Sequence, residues 1–331
     1  MWAEPCRVLV LTSAGCAAAY LALTLCAFVR NRFLPRKRLD FTRAERLLIV
    51  AAHQDDETII AGGTMMKTLA KGGEVHVVYT TDGAVKRRLG PGAAVQNCVL
   101  QREREARACL TSIGVPEVNI SFLRYACETG LQEPDNVAAA INIVARHIER
   151  LQPGRIVAAA FEGGHCDHDI SNYIVAKAAG IAGYPRERVF EAPEYNRYHL
   201  SEPILRRLNR VLWVKFELRP RFLFGHGGAM TLAMSRKELE SKRVMFTHFA
   251  SQDSGALATR FGFADQVRPL PPYRYAEAPF NPARCPRHRL VRLIRGKARS
   301  NPFYGMAYRD YLRLYAALEE RIPTASPKRE P

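Results

Sequence analysis

Apolar residues gather first in one block, Val8–Val29, that contains no charged side chain. At about 1.5 Å per residue its roughly 22 positions would span about 33 Å as a helix, enough for a hydrocarbon core of about 30 Å. Arg30, Arg32, Arg36, Lys37 and Arg38 follow at once, whereas Arg7 is the one basic residue before it. A cleavable signal carries its charge ahead of a shorter apolar core. The block therefore reads as a single transmembrane anchor whose C-terminal side stays cytoplasmic. The alternative, a buried helix of a soluble domain, fits less well with apolar residues on every face. Ala14, Gly15, Ala17, Ala18 and Ala19 keep the hydropathy of the block modest.

Beyond a basic linker the pattern alternates. Arg46–Ala52 is a continuous apolar run, the mark of a strand covered on both faces. Thr58–Ala70 predicts a helix stopped by Gly72-Gly73, and Glu74–Thr80 a β-branched strand. Residues Thr81–Asn97 read as a long loop. Cys98–Ile113 predicts a charged helix, Val118–Phe122 a strand, Asn136–Leu151 a helix, Arg155–Phe161 a strand and Ile170–Ile181 a helix. Strands alternating with helices predict a Rossmann-like α/β fold, with a mostly parallel sheet and helices on both faces. After about residue 190 the signal weakens. Ser201–Val214 reads as an amphipathic helix, Ser235–Glu238 as a capping box opening another, and Tyr304–Arg321 as the last. The expected organisation is an anchor and linker over 1–38, a catalytic domain over 39–255, and a basic extension over 256–331 that packs on it.

Composition adds two constraints. A net charge of +17 suits an anionic partner, whether nucleic acid, an acidic membrane leaflet or a phosphorylated substrate. The eight cysteines include no Cys-x-x-Cys, so they form no metal ribbon or disulfide framework and suit a reducing compartment.

The chemistry concentrates at two strand ends. The first predicted strand runs into Ala51-Ala52-His53-Gln54-Asp55-Asp56-Glu57, and the strand ending at Phe161 runs into Glu162-Gly163-Gly164-His165-Cys166-Asp167-His168-Asp169. Ligands of open α/β sheets sit at such carboxyl ends. Histidine and carboxylate side chains there need a partner, and a divalent cation is the natural one. Two clusters at equivalent strand ends converge, offering His, Asp and His and leaving a fourth position for water. No Gly-x-Ser-x-Gly elbow, His-Glu-x-x-His, P-loop or Gly-x-Gly-x-x-Gly is present.

Together these motifs resemble the PIG-L/LmbE-type zinc N-deacetylases. That family reads Ala-His-Pro-Asp-Asp-Glu where this chain has Ala52-His53-Gln54-Asp55-Asp56-Glu57, and His-Pro-Asp-His where it has His165-Cys166-Asp167-His168. Thr81-Asp82-Gly83, Arg102-Glu103-Arg104-Glu105 and Ser251-Gln252 also line up, so the likeness covers about residues 45–255. Gln54 and Cys166 replace the usual prolines. The resemblance implies Zn2+ held by His53, Asp56 and His168. It implies Asp55 as the general base toward the attacking water, and His165 as a cationic oxyanion stabiliser or as proton donor to the leaving amine. It further implies Asp167 as the group orienting a histidine, and Arg102 and Asp82 as substrate contacts.

The resemblance implies an N-acetylglucosamine-type substrate. It is lipid-linked if the anchor and the basic Arg284–Arg299 run sit against an acidic leaflet, and otherwise a soluble amino-sugar conjugate. A basic nucleic-acid-binding protein is the rival of another class. No nucleic-acid motif supports it and aromatics are not interleaved with the basic run, so no nucleic-acid partner is expected.

Overall fold

The structure is a computed structural model that describes residues 37–39, 44–85, 89–90, 92–162, 165–194, 229–277 and 308–322. Val8–Val29, Ser201–Val214 and Arg284–Arg299 lie outside the described residues. Among those described, no helix is long and apolar enough to cross a membrane.

Eight strands form the sheet: β1 (Lys37–Leu39), β2 (Arg46–Ala51), β3 (Glu74–Thr81), β4 (Ile120–Tyr125), β5 (Arg155–Ala159), β6 (Val189–Ala192), β7 (Met230–Leu232) and β8 (Gln266–Pro269). Their order is β1-β7-β8-β6-β5-β2-β3-β4. All neighbours are parallel except β8, which is antiparallel to both β6 and β7. The helices are α1 (Asp56–Ala70), α2 (Ala93–Ser112), α3 (Pro134–Leu151), α4 (Cys166–Ile181), α5 (Arg236–Phe246), α6 (Ser254–Phe261) and α7 (Tyr308–Arg321).

The apolar run of β2 is explained by cover on both faces. Leu48 and Val50 pack with residues of α3, α4 and α7, and Leu47, Ile49 and Ala51 with residues of α1, α2 and α5. The alternation follows from the two-residue period of a strand. On the first face α3 is an amphipathic helix that buries Val137, Ala140, Ile141, Val144, Ile148 and Leu151. It begins at Pro134, a residue suited to the first helical turn. It ends at Gln152 in the left-handed region, just before Pro153.

Three differences from the expected pattern have local causes. Helix α2 starts at Ala93 rather than Cys98, because Ala93–Asn97 propagates a helix once Gly92 has turned the chain. Helix α4 starts at Cys166 rather than Ile170, because the His165 side chain accepts a hydrogen bond from the Asp167 N–H. Histidine is not among the usual capping residues, so this start carries no sequence signal. Strands β6, β7 and β8 have three or four residues each, too short to show a period. Strand β8 lies past the boundary expected at residue 255, yet it is hydrogen-bonded into the main sheet, and Tyr311, Tyr315 and Leu318 of α7 are part of the core.

A buried ion pair fixes α1 against the second half of the chain. The Lys242 Nζ donates to Asp265 Oδ1 at 2.6 Å and to the Ile59 carbonyl at 3.1 Å. The other oxygen of Asp265 accepts from the Thr64 N–H at 2.6 Å and the Thr64 hydroxyl at 2.8 Å. Gly62 makes room, since a Cβ there would meet the Lys242 Cε at 3.1 Å. Outside this pair, the Ser235–Glu238 capping box is formed as the sequence predicts, and Glu238 also binds Lys67 at 2.6 Å.

Removing one member of a buried pair strands the other charge. We expect Lys242→Met and Asp265→Ala each to lower the unfolding free energy by about 3–5 kcal/mol in urea titrations. The double variant Lys242→Met/Asp265→Leu should lose clearly less than the sum of the two.

Candidate active site

Strands β2 and β5 are parallel neighbours, in register from Leu47 opposite Arg155 to Val50 opposite Ala158. After β2 the chain continues on one side through β3 and β4, then returns to the other side as β5. The strand order thus reverses between β2 and β5, and both sequence motifs leave the sheet at that crevice.

The donor atoms meet there. His53 Nδ1 is 2.9 Å from His168 Nε2, His168 Nε2 is 3.2 Å from Asp56 Oδ2, and His53 Nδ1 is 3.4 Å from Asp56 Oδ2. Ligands at about 2.1 Å from a tetrahedral zinc lie about 3.4 Å apart. The three separations therefore match a shared divalent cation, and the His-His-Asp chemistry fits one. All three residues are buried. The Asp56 carboxyl also accepts from the His53 N–H at 2.7 Å, which fixes it at the N-terminus of α1.

The protonation pattern shows the same demand for positive charge. Burial works against a charged His53, yet Cys127, Asp167 and Asp56 around it raise its pKa well above the usual value. Burial likewise opposes an ionised Asp56, but His168 and His53 hold it below the ordinary carboxylate range. His168 Nδ1 lies 2.9 Å from Glu194 Oε2. A proton on Nδ1 leaves the Nε2 lone pair facing His53 and Asp56, the carboxylate–histidine arrangement of metal sites. Burial raises Glu194 well above its ordinary range, and the carboxylates of Asp56 and Glu162 add to the effect. Glu194 sits beyond the end of β6, where the sequence carries no motif.

Asp55 is held in an uncommon backbone conformation, φ 139°, ψ −26°. For a residue with a side chain this costs about 1–3 kcal/mol and marks a position fixed by its surroundings. Those surroundings are specific. The Asp55 N–H donates to Glu57 Oε2 at 3.0 Å. The Arg102 guanidinium donates to Asp55 Oδ1 at 3.1 Å, to the Gln54 carbonyl at 2.7 Å and to the Gly83 carbonyl at 2.8 Å. Gly83, at φ 69°, permits this approach, because a Cβ there would meet Gln54 Oε1 at 2.3 Å and Arg102 Nε at 2.9 Å. Burial raises Asp55 to about 7, against the opposing pull of Arg102. Burial also raises Glu57 to about 7.

The other expected site residues lie around the same crevice, Asp167 beside a histidine as expected and Arg102 and Asp82 turned inward. Arg102, expected to contact substrate, is buried and engaged under Asp55. Asp82, expected likewise, is turned inward, where its Oδ1 accepts from the Ala84 and Cys127 N–H groups at 3.0 Å each. Asp167 Oδ2 lies 3.1 Å from His53 Nε2 and accepts from the Glu128 N–H at 2.9 Å. His165, expected as a cation, is pushed down to about 3 by burial and by the neighbouring His53, so it stands neutral. Gln54, in place of a proline, secures its loop by donating to the Thr81 carbonyl at 3.1 Å. A wall that the sequence left unmarked is the turn after β4. Cys127 Sγ lies 3.4 Å from His53 Nε2, and Glu128, in the left-handed region at φ 65°, places Oε1 4.0 Å from His165 Nε2.

Part of the chain is similar to known proteins. Residues 48–179 match the family described as PIG-L: GlcNAc-PI de-N-acetylase. A protein of Rhodococcus opacus named 1D-myo-inositol 2-acetamido-2-deoxy-alpha-D-glucopyranoside deacetylase is 32% identical over 166 residues, 43% of this chain and 55% of that protein. Its namesake from Segniliparus rotundus is 30% identical over 172 residues, 45% of this chain and 54% of that protein. The chain thus spans about half the length of these relatives. Among solved structures, a deacetylase of the teicoplanin biosynthetic pathway covers 68% of this chain and 97% of its own at 17% identity, with a TM-score of 0.50. That likeness extends to the fold alone.

We expect the purified chain to hold one divalent cation at His53, Asp56 and His168, measured by elemental analysis after desalting. His53→Ala, Asp56→Ala and His168→Ala should each lose it. Glu194→Gln should keep the fold but weaken the affinity by about 10–100-fold. Full metal content in all three ligand variants would refute the assignment.

Proposed function

From the premise that residues 48–179 form a PIG-L family domain, we propose that this protein is a zinc-dependent hydrolase that removes the acetyl group from an N-acetylglucosamine-type substrate. The observation that carries the proposal is the convergence of His53, Asp56 and His168 with Asp55 adjoining them. A zinc ion held by those three residues supplies Lewis acidity, polarising the amide carbonyl and acidifying water.

The chain's own groups divide the remaining work. Asp55 takes the proton of the water that attacks the acetyl carbon and returns it to the amine nitrogen as the C–N bond breaks. Arg102 fixes the Asp55 carboxyl and the Gln54 carbonyl together, so it acts as a positioning residue rather than a substrate clamp. His165 accepts the Asp167 N–H at Nδ1, which puts its ring proton on Nε2. From there a neutral imidazole donates a hydrogen bond to the developing oxyanion. Asp167 orients His53 through Nε2.

The finer proposal concerns the rest of the substrate. We propose that it is lipid-linked and met at a membrane by a catalytic domain on the cytoplasmic side. The uncharged Val8–Val29 run and the basic residues that follow it support this reading. The second reading is a soluble amino-sugar conjugate, favoured by the inositol glycoside in the names of the two relatives.

Mass spectrometry of lipid and aqueous extracts incubated with the zinc-loaded protein separates the two. The lipid reading requires the loss of one acetyl mass in the lipid phase, and a loss confined to the aqueous phase overturns it. Asp55→Asn should keep its metal and lower kcat by about 10²–10⁴-fold, the span of general-base loss. Arg102→Met should act mainly on kcat with KM little changed. A rise in KM alone would restore Arg102 to direct substrate contact.

A further inference from the structure

His53 stands between two donor sets. Its Nδ1 faces His168 and Asp56, as described above. Its Nε2 faces a second group, lying 3.1 Å from Asp167 Oδ2 and 3.4 Å from Cys127 Sγ. His165 Nδ1 lies 3.9 Å from the same Asp167 oxygen. One donor atom from each of His53, Cys127, His165 and Asp167 lies within 4.8 Å of the others, and all four residues are buried.

We propose that Cys127, His165 and Asp167 form a second cation site, next to the first and selective for thiophilic divalent ions such as Zn2+ or Cd2+. The chemistry of the two sets differs. The first offers two imidazoles and a carboxylate. The second offers a thiol, an imidazole and a carboxylate, and thiolate favours the softer metals. Sulfur, nitrogen and oxygen ligands of one tetrahedral zinc lie about 3.5 Å apart, so the set closes on an ion with movements of about 1 Å.

The protons can be placed. When His53 gives its Nδ1 lone pair to the first ion, its Nε2 keeps a proton and donates it to Asp167 rather than ligating. His165 Nδ1 carries a lone pair, now spent on a long 3.2 Å hydrogen bond from the Asp167 N–H, and the ion competes for it. The Cys127 thiol proton leaves to solvent as the Sγ–metal bond forms. The turn that presents Sγ is held at both sides of the residue. Asp82 accepts the Cys127 N–H at 3.0 Å, and Asp167 accepts the Glu128 N–H at 2.9 Å. This gives the inward-turned Asp82 a purpose. Occupation ties up His165 and Asp167, so an ion bound here opposes the chemistry of the neighbouring site.

The test is a Cd2+ titration of the full 331-residue chain already loaded with one equivalent of zinc. It is read by bound metal after desalting and by the ultraviolet thiolate-to-cadmium charge-transfer band. The wild type should take up a further equivalent, with the band rising in step. Cys127→Ser should keep the first equivalent, show no band, and bind the next at least about tenfold more weakly, the least that loss of a ligand costs when even its supporting groups cost 10–100-fold. Cys166→Ser should keep the band. His168→Ala should lose the first equivalent and still give the band, which separates this proposal from the deacetylase reading. If Cys127→Ser fails to fold, alkylation of the wild type decides, with saturating Zn2+ protecting Cys127 in peptide mass spectra. No further equivalent in the wild type, a full band in Cys127→Ser, or an unprotected Cys127 would each overturn the proposal.

Discussion

Three lone-pair atoms held within 3.4 Å of one another in a buried crevice set the terms for the rest of the molecule. Such an arrangement repels itself unless positive charge sits among its members, and burial makes the repulsion stronger. The crevice exists because β2 and β5 run side by side in parallel register, so that both strands release their chains at one point. The catalytic reading, the strained turn and the supporting ion pairs follow from keeping those atoms together.

The support is a set of compensations. Four carboxylates at the crevice have specific partners: Arg102 for Asp55, His53 and His168 for Asp56, and backbone N–H donors for Asp82 and Asp167. Two further networks hold the helices that carry the motifs. Lys242 and Asp265 fasten α1 just past Asp56. Glu191 of β6 ties Arg268 of β8 at 2.6 Å to Asn172 of α4 at 2.9 Å, and Tyr275 donates to the same asparagine at 2.7 Å. The late part of the chain thus braces α4 one turn beyond His168. Buried polar groups of this kind are tolerable only when every partner is present.

The uncommon backbone at Asp55 belongs to the same logic. A residue at φ 139° relaxes unless several contacts hold it, and here Glu57, Arg102 and the first turn of α1 do so. Strain stored at one residue and offset by its neighbours is typical of positions whose side chain must point one way. Gly83 is the counterpart across the gap, where the absence of a Cβ lets Arg102 reach beneath the turn.

Local sequence determined the elements whose pattern is regular and the residues whose chemistry is conspicuous. The apolar run of β2, the amphipathic stripe of α3 and the Ser235–Glu238 capping box are readable because spacing along the chain maps directly onto a face or a turn. The two His/Asp motifs were readable because they follow predicted strands. Tertiary structure decided what depends on residues far apart in the chain. It placed Glu194 against His168 and Cys127 against His53, turned Arg102 and Asp82 inward, and paired Lys242 with Asp265. It also recruited the short strands β6 to β8 and the helix α7. The charged helix α2 shows why this was hidden. Arg102 and Arg104 are alike in sequence and differ only in which side of the helix the sheet covers. The first is drawn under Asp55 and the second left in water, because burial is set by packing and not by composition.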